Sequence, residues 1–238
     1  MNALQTSSPT FDPIWETLRR NGLAIPRYPF DFVVVFVNRF AAKDRPRNEV
    51  RILEVGCGTG NNLWFAAREG YAVTGIDGSA SAIEFARGRF AEEKLAGKFD
   101  IGDFTDLPYD DGQFDLVIDR GGLVCCGISA GKRAVAEVRR VLRDGGYFLF
   151  NPFSAKHSCF TDSDPGEDGL RINIRGAMSG AGQICYYTRQ QVDEAIARGW
   201  DVVSLEHWEA VDHALPDAPV HAEWRVILRK NASRGSSA

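Results

Sequence analysis

A single α/β domain, with helices on both faces of a largely parallel sheet, is the fold class that this sequence predicts. Three observations carry that reading. Short apolar runs alternate with helix-period segments from residue 50 to residue 151, which is the pattern of strand–helix–strand crossovers. The first run ends in a glycine-rich reversal. Two further strand-like runs near the C-terminus bring the count to seven strands. At 238 residues the chain suits one such domain with modest additions.

The elements follow in order. Two amphipathic helices are expected between Phe11 and Ala42, split by Gly22, Pro26 and Pro29. The second, Asp31 to Ala42, carries Phe32, Val33, Phe36, Val37 and Phe40 at helical spacing. Val50 to Val55 reads as a buried strand, Asn61 to Arg68 as a helix and Tyr71 to Ile76 as the second strand. A helix begins at Ser79, where Ser81 and Glu84 have the spacing of a capping box. Lys98 to Ile101 and Phe114 to Ile118 are strands three and four. Val135, Val138, Val141 and Leu142 mark a helix that stops before Gly145-Gly146, and Tyr147 to Asn151 is strand five.

From Pro152 to Tyr187 the rhythm is lost, and the segment reads as an insertion without periodic structure over one sheet edge. Thr188 and Gln191 form a second capping box, opening a helix toward Arg198. Val202 to Trp208 and His221 to Leu228 are the last two strands. The expected division is therefore an N-terminal helical segment (1–47), an α/β core (48–151), the insertion (152–187), a completion of the sheet (188–230) and a disordered tail (231–238). The first ten residues are likewise expected to fray. No internal repeat is visible.

Composition narrows the function. Apolar residues at 44% and charged residues at 25% are ordinary for a globular protein. The net charge of −4 disfavours a general nucleic-acid binder. Five cysteines, Cys57, Cys125, Cys126, Cys159 and Cys185, show neither metal-ligand nor C-x-x-C spacing, which fits a reducing cytoplasm and no metal. The longest apolar run, Phe32 to Val37, is too short to span a bilayer, and Met1 to Thr10 lacks a signal pattern.

The central motif is Ile52-Leu53-Glu54-Val55-Gly56-Cys57-Gly58-Thr59-Gly60. Glycines there permit a tight turn and let a ligand approach bare backbone, while the next helix offers free N–H groups to an anion. A dinucleotide fingerprint needs G-x-G-x-x-G, and the place of its third glycine holds Asn61. The loop runs E-x-G-x-G-x-G instead. Val73 to Asp77 ends a strand on an acid seventeen residues after Gly60, Gly102-Asp103-Phe104 follows strand three, and Asp119-Arg120-Gly121 closes strand four.

With these motifs in this order, the chain resembles the class I S-adenosylmethionine-dependent methyltransferases over roughly Val50 to Asn151. The resemblance implies a Rossmann-like sheet with its last strand reversed, an N-terminal helical lid and S-adenosyl-L-methionine as cofactor. It implies that the loop from Gly56 through Cys57 and Gly58 to Gly60, with Asn62, wraps the methionine portion. Glu54 would then hold the amino group and Asp77 the ribose hydroxyls. Gly78 and Ser79 would line the pocket, Asp103 and Phe104 would meet the adenine, and Tyr28 would meet the methionine end. Asp119 and Arg120 should face the methionine and sulfonium end, with a structural ion pair as the competing role for Arg120.

A hydroxyl or ammonium acceptor also needs a base. His157 is the first candidate and Asp119 the second; His207, His213 and His221 fall where structural roles are expected. The run Asp119-Arg120-Gly121-Gly122 departs from the Asn/Asp-Pro-Pro-aromatic run of amino-methylating relatives, which disfavours that branch. Tyr186, Tyr187 and Arg175 are candidate substrate contacts by placement. The function expected is methyl transfer to a small or medium-sized acceptor such as a saccharide or secondary-metabolite intermediate, by a cytoplasmic monomer or homodimer with no nucleic-acid or membrane partner. The alternatives are a nicotinamide-dependent oxidoreductase and a cofactor-binding module without transfer activity.

Overall fold

A computed structural model of the chain describes residues 11–232. The frayed ends expected at 1–10 and 233–238 lie outside the described residues, whereas Asn231 is tied back by its N–H to the Gly199 carbonyl.

The chain begins with α1 (Ile14–Arg20) and α2 (Asp31–Phe40), then runs β1 (Arg51–Val55), α3 (Asn61–Arg68), β2 (Ala72–Asp77), α4 (Ala80–Glu92), β3 (Lys98–Ile101) and β4 (Phe114–Asp119). It continues through α5 (Ile128–Val141), β5 (Leu142–Phe150), α6 (Ser158–Thr161), β6 (Asp164–Pro165), β7 (Leu170–Ile172), β8 (Gln183–Cys185), α7 (Arg189–Ala195), β9 (Trp200–Val211) and β10 (Val220–Lys230). The main sheet has seven strands in the order β3-β2-β1-β4-β5-β10-β9. β10 pairs antiparallel with both β5 and β9, so the last strand of the chain is the reversed one and it lies inside the sheet, with β9 at the edge.

Alternation along each strand sends side chains to two cores. Leu53, Val55, Val117, Phe148 and Phe150 pack with Val135 and Val138 of α5 and Val192 of α7. Ile52, Val73, Leu116, Ile118 and Leu149 face the other way, against Val33 and Phe36 of α2, Leu63 of α3 and Ile83 of α4. The sheet is thus wound on both faces. Strand order reverses between β1 and its neighbours β2 and β4, which opens a crevice beyond their carboxyl ends.

Three local expectations need correction. Ser79, not Ser81, caps α4 by accepting the Ala82 N–H; the Ser81 hydroxyl is drawn off by Glu16 of α1 at 2.6 Å. β5 starts at Leu142, directly after α5, and the Gly145-Gly146 pair sits within it rather than before it. The insertion holds its own three-stranded antiparallel sheet, β6-β7-β8, with a separate apolar cluster of Phe153, Ile174, Ile184, Tyr186 and Val124. Its strands are two or three residues long, too short for a period to register in sequence. The capping box at Thr188 and Gln191 forms as expected.

Candidate functional site

A cleft of about 480 Å³ opens at the reversal point, within the size range of small-molecule sites. Its floor is the glycine loop and the ends of β1, β2 and β4. One wall comes from α1 and the segment that follows it, the other from the insertion.

The loop geometry follows from its residues. Gly56, Gly58 and Gly60 all have positive φ, at 64°, 52° and 73°. A Cβ on Gly56 would come within 2.7 Å of the Gly122 Cα, so β1 and β4 exit side by side only because both positions lack side chains. Cys57 turns inward and is buried, its N–H donating to the Ile76 carbonyl. Glu54 lies beneath the loop, buried. Asn62 donates Nδ2 to its Oε1 at 2.7 Å, and Oε2 is buried with no partner. Burial pushes the Glu54 carboxyl up to about 8, because a charge there has lost its water.

Asp77 lines the cleft from the end of β2. Its Oδ2 accepts the Gly58 N–H and its Oδ1 the Ser79 N–H, both at 2.8 Å. Burial raises its carboxyl above the usual range, against those two bonds. Gly78 and Phe104 also line the cleft. Ser79 and Asp103 are not among the lining residues: Ser79 is consumed by its cap and by Glu16, and Asp103 is exposed, its Oδ1 accepting the Thr105 N–H at 2.7 Å.

Asp119 is fully buried behind the cleft. Its Oδ1 accepts from Gly122 and Leu123 and its Oδ2 from Asn151, so it holds the β4 exit loop and presents no free oxygen to a substrate. Burial pushes it up to about 6. Arg120 does line the cleft and is also ion-paired, with Nη2 at 3.7 Å from Glu223. Its guanidinium stacks over Phe30 at 4.0 Å, and its Nε is buried without a partner.

Tyr28 is 67% exposed and packs edge-on against Trp64, away from the cleft. Its carbonyl, not its ring, is used: Asn61 donates Nδ2 to it at 2.9 Å. The neighbouring Phe30 reaches the cleft instead, its N–H donating to Asn62 Oδ1. Trp15 and Arg19 of α1 also line the cleft. Arg19 lies beside Gly58, with Nη1 buried and unpartnered, and desolvation lowers its pKa. Two acids pin α1 across the opening. Glu16 accepts from Ser79 Oγ, Ser81 Oγ and Ser81 N, and Asp12 accepts the Gln183 N–H of β8 at 2.9 Å.

The insertion contributes Phe153, Met178 and Ile184 to the cleft, with Val124 and Cys125 from the turn after β4. His157 is not there. It is buried behind Phe153 among Tyr186 and His221, and its Nδ1 accepts the Cys159 N–H as the cap of α6. Desolvation brings it down to about 4. Tyr186 and Tyr187 are buried in cores, and Arg175 is exposed and paired with Asp162. His207 contacts Ser154 Oγ at 2.7 Å and His221 contacts Glu223 at 3.2 Å; His213 is exposed. Among the described residues no group of three His, Cys, Asp or Glu side chains is placed to hold a metal, and no helix is long and apolar enough to cross a membrane.

The acids and glycines of the floor were accessible to sequence reasoning; Arg19, Phe30 and Phe153 were not. The residues fit an amino-acid-bearing nucleoside. An orphaned carboxylate oxygen waits for a cation, an orphaned guanidinium N–H waits for an anion, and bare backbone lies between them.

Comparison with known proteins agrees with that fit. A family profile described as a methyltransferase domain matches residues 52–146. The chain is 36% identical over 110 residues to malonyl-[acyl-carrier protein] O-methyltransferase of Erwinia pyrifoliae, covering 45% of this chain and 38% of that protein. It is 30% identical over 169 residues to phthiotriol/phenolphthiotriol dimycocerosates methyltransferase of Mycobacterium tuberculosis, covering 70% of this chain and 56% of that one. The matched stretch thus spans between about a third and just over half of these relatives' length. Among solved structures, a SAM-dependent methyltransferase from Methanosarcina mazei superposes with a TM-score of 0.68 at 20% identity, covering 83% of this chain and 98% of that one.

Proposed function

We propose that the chain is a class I S-adenosyl-L-methionine-dependent methyltransferase, with S-adenosyl-L-methionine as cofactor, and that it transfers a methyl group to a small or medium-sized acceptor held in the cleft. One observation carries the reading: Glu54 with its unpartnered Oε2, the positive-φ glycines Gly56 and Gly58, and Asp77 all line one cavity.

In this assignment Glu54 receives the amino group, kept in place by Asn62. Asp77 accepts from the ribose hydroxyls with the lone pairs its two backbone bonds leave over. Gly56 to Gly60 lie under the methionine chain, Arg19 meets its carboxylate, and Phe104 covers the base. Bound there, the sulfonium supplies an already activated methyl group. The chain's own work is to orient the acceptor and keep water out, for which the apolar walls are suited. Residues 11–47 and 152–187 serve as the two walls of that pocket, and 48–151 with 188–230 as its platform. A cytoplasmic location, a monomeric or homodimeric state and the absence of a nucleic-acid partner belong to the same reading.

Calorimetric titration of the protein with S-adenosylhomocysteine and with NADH tests it. Saturable binding of the homocysteine nucleoside alone is expected. Binding of the dinucleotide alone would overturn the proposal in favour of an oxidoreductase. Nucleoside binding with no methylated product from any acceptor would leave a binding module.

A further inference from the structure

We infer that the acceptor is an apolar carboxylic acid, methylated on a carboxylate oxygen, and that Arg120 receives that carboxylate. The inference rests on the methyltransferase reading and moves Arg120 from the cofactor to the acceptor.

An unpartnered donor is the first argument. Arg120 and Arg225 share one buried carboxylate, Glu223. Arg225 takes it at 2.7 Å through Oε1, while Arg120 stands at 3.7 Å from Oε2, which His221 also contacts. The adjacent acid, Asp119, has both oxygens occupied by backbone N–H groups. Glu223 and Asp119 offset the two guanidinium charges, yet Arg120 lines the cleft with its side chain 12% exposed and its Nε buried without a partner. A buried N–H with no acceptor is costly unless a ligand supplies one. The cofactor carries one carboxylate, for which Arg19 stands beside the loop. A carboxylate on the acceptor supplies the partner that Arg120 lacks.

Shape is the second argument. Arg120 lies against Phe30, and across from them Val124, Phe153, Met178 and Ile184 present an apolar wall. An alkyl or aryl body is stabilised there by about 25 cal/mol for each Å² it buries.

The third argument concerns protons. Among the described lining residues there is no His, Lys or Tyr. The two carboxylates, Glu54 and Asp77, face the cofactor, and burial pushes the Cys57 and Cys125 thiols up. An alcohol or ammonium acceptor would have no base to give its proton to, whereas a carboxylate arrives without one. One acceptor oxygen stays on Arg120. The other forms the new O–C bond as the C–S bond breaks, and that electron pair passes to sulfur. Carboxylate and sulfonium charges cancel, leaving a neutral methyl ester and a thioether, with no proton gained or lost.

The test uses octanoate, octanol and octylamine with wild type, Arg120→Met and Arg120→Lys. We expect octanoate to bind the S-adenosylhomocysteine complex of wild type and methyl octanoate to form, with no product from the alcohol or amine. Arg120→Met should keep its affinity for S-adenosylhomocysteine within about twofold, which also reports its folding, and lose about tenfold or more in octanoate affinity; Arg120→Lys should recover part of that loss. Three results would overturn the inference: loss of nucleoside affinity in folded Arg120→Met, methylation of octanol or octylamine, or failure of octanoate to bind the wild-type complex. Failure of wild type to bind the nucleoside at all would overturn the methyltransferase reading as well.

Discussion

Asn62 fixes Glu54 from above, donating Nδ2 to Oε1 at 2.7 Å while its own Oδ1 accepts the Phe30 N–H at 3.0 Å. One amide thereby ties the acid of β1 to the segment that follows α1, and it leaves Oε2 as the only unspent oxygen of that carboxyl. The site's cation-binding group and its wall are set by the same residue.

Glu54 should make cofactor binding depend on pH. Its carboxyl is raised from 4.5 to about 8 in the free protein. The neutral form prevails at pH 7, and an incoming ammonium favours the ionised form. Binding then releases a proton, and affinity rises as pH rises toward 8, by at most about tenfold per pH unit. For the free protein the sign is opposite. A raised acid stabilises the fold fully below pH 4.5, and that contribution is lost as pH climbs through 8. Calorimetry in buffers of different ionisation enthalpy, compared with Glu54→Gln, checks both. Proton release unchanged in the variant would remove Glu54 from the role.

Asp77→Ala should weaken S-adenosylhomocysteine binding by about 1.5–3 kcal/mol, from loss of charge-assisted bonds to the ribose. The same carboxylate also holds the N–H groups of Gly58 and Ser79, so the melting temperature of the free protein should fall too. Asp77→Asn should show both effects in milder form, since its one carbonyl oxygen can serve only one of the two N–H groups and its Nδ2 is a donor facing the other. Wild-type affinity in folded Asp77→Ala would exclude the residue from the site.

How much of this could be read from the sequence depends on the range of the forces involved. The glycine loop and Asp77 were legible because strand, turn and strand-end acid are fixed by residues adjacent in the chain. Tyr28 was misplaced in favour of Phe30 because residues 21–30 have no regular period, and only the Asn61 and Asn62 bonds settle which side chain turns in. Arg19 gave no signal: it reaches Gly58 only because Glu16 meets Ser79 and Ser81, more than sixty residues away. His157 was nominated for its chemistry, yet its environment, a helix cap inside an apolar cluster, is a tertiary fact.

Glu16 should control access to the cleft. Its carboxyl is held down at about 2, first by the Ser81 and Ser79 hydroxyls. A depressed acid stabilises above its ordinary 4.5, and that contribution disappears as pH falls toward 2. Glu16→Ala should free α1 from α4, so trypsin should cut after Arg19 and Arg20 faster and the nucleoside should dissociate faster. Both rates are read directly, by mass spectrometry and by stopped-flow displacement. Unchanged cleavage at those sites would show that α1 is held by Asp12 and packing alone.

His157→Gln discriminates a structural histidine from a base. The ring is buried, its Nδ1 already accepts the Cys159 N–H, and desolvation lowers it from 6.5 to about 4. With Nδ1 accepting, the neutral ring carries its proton on Nε2 and has no lone pair to offer. The depressed pKa means that this histidine stabilises the fold above pH 6.5, an effect lost as pH falls through 4. Loss of the cap should cost about 1 kcal/mol of stability. The methyl-transfer rate should stay within about twofold of wild type, against the hundredfold or more that removal of a general base removes. The pH–rate profile should likewise show no limb that vanishes in the variant. A hundredfold fall in kcat with the fold intact would return His157 to the reaction and remove the case for an acceptor that needs no base.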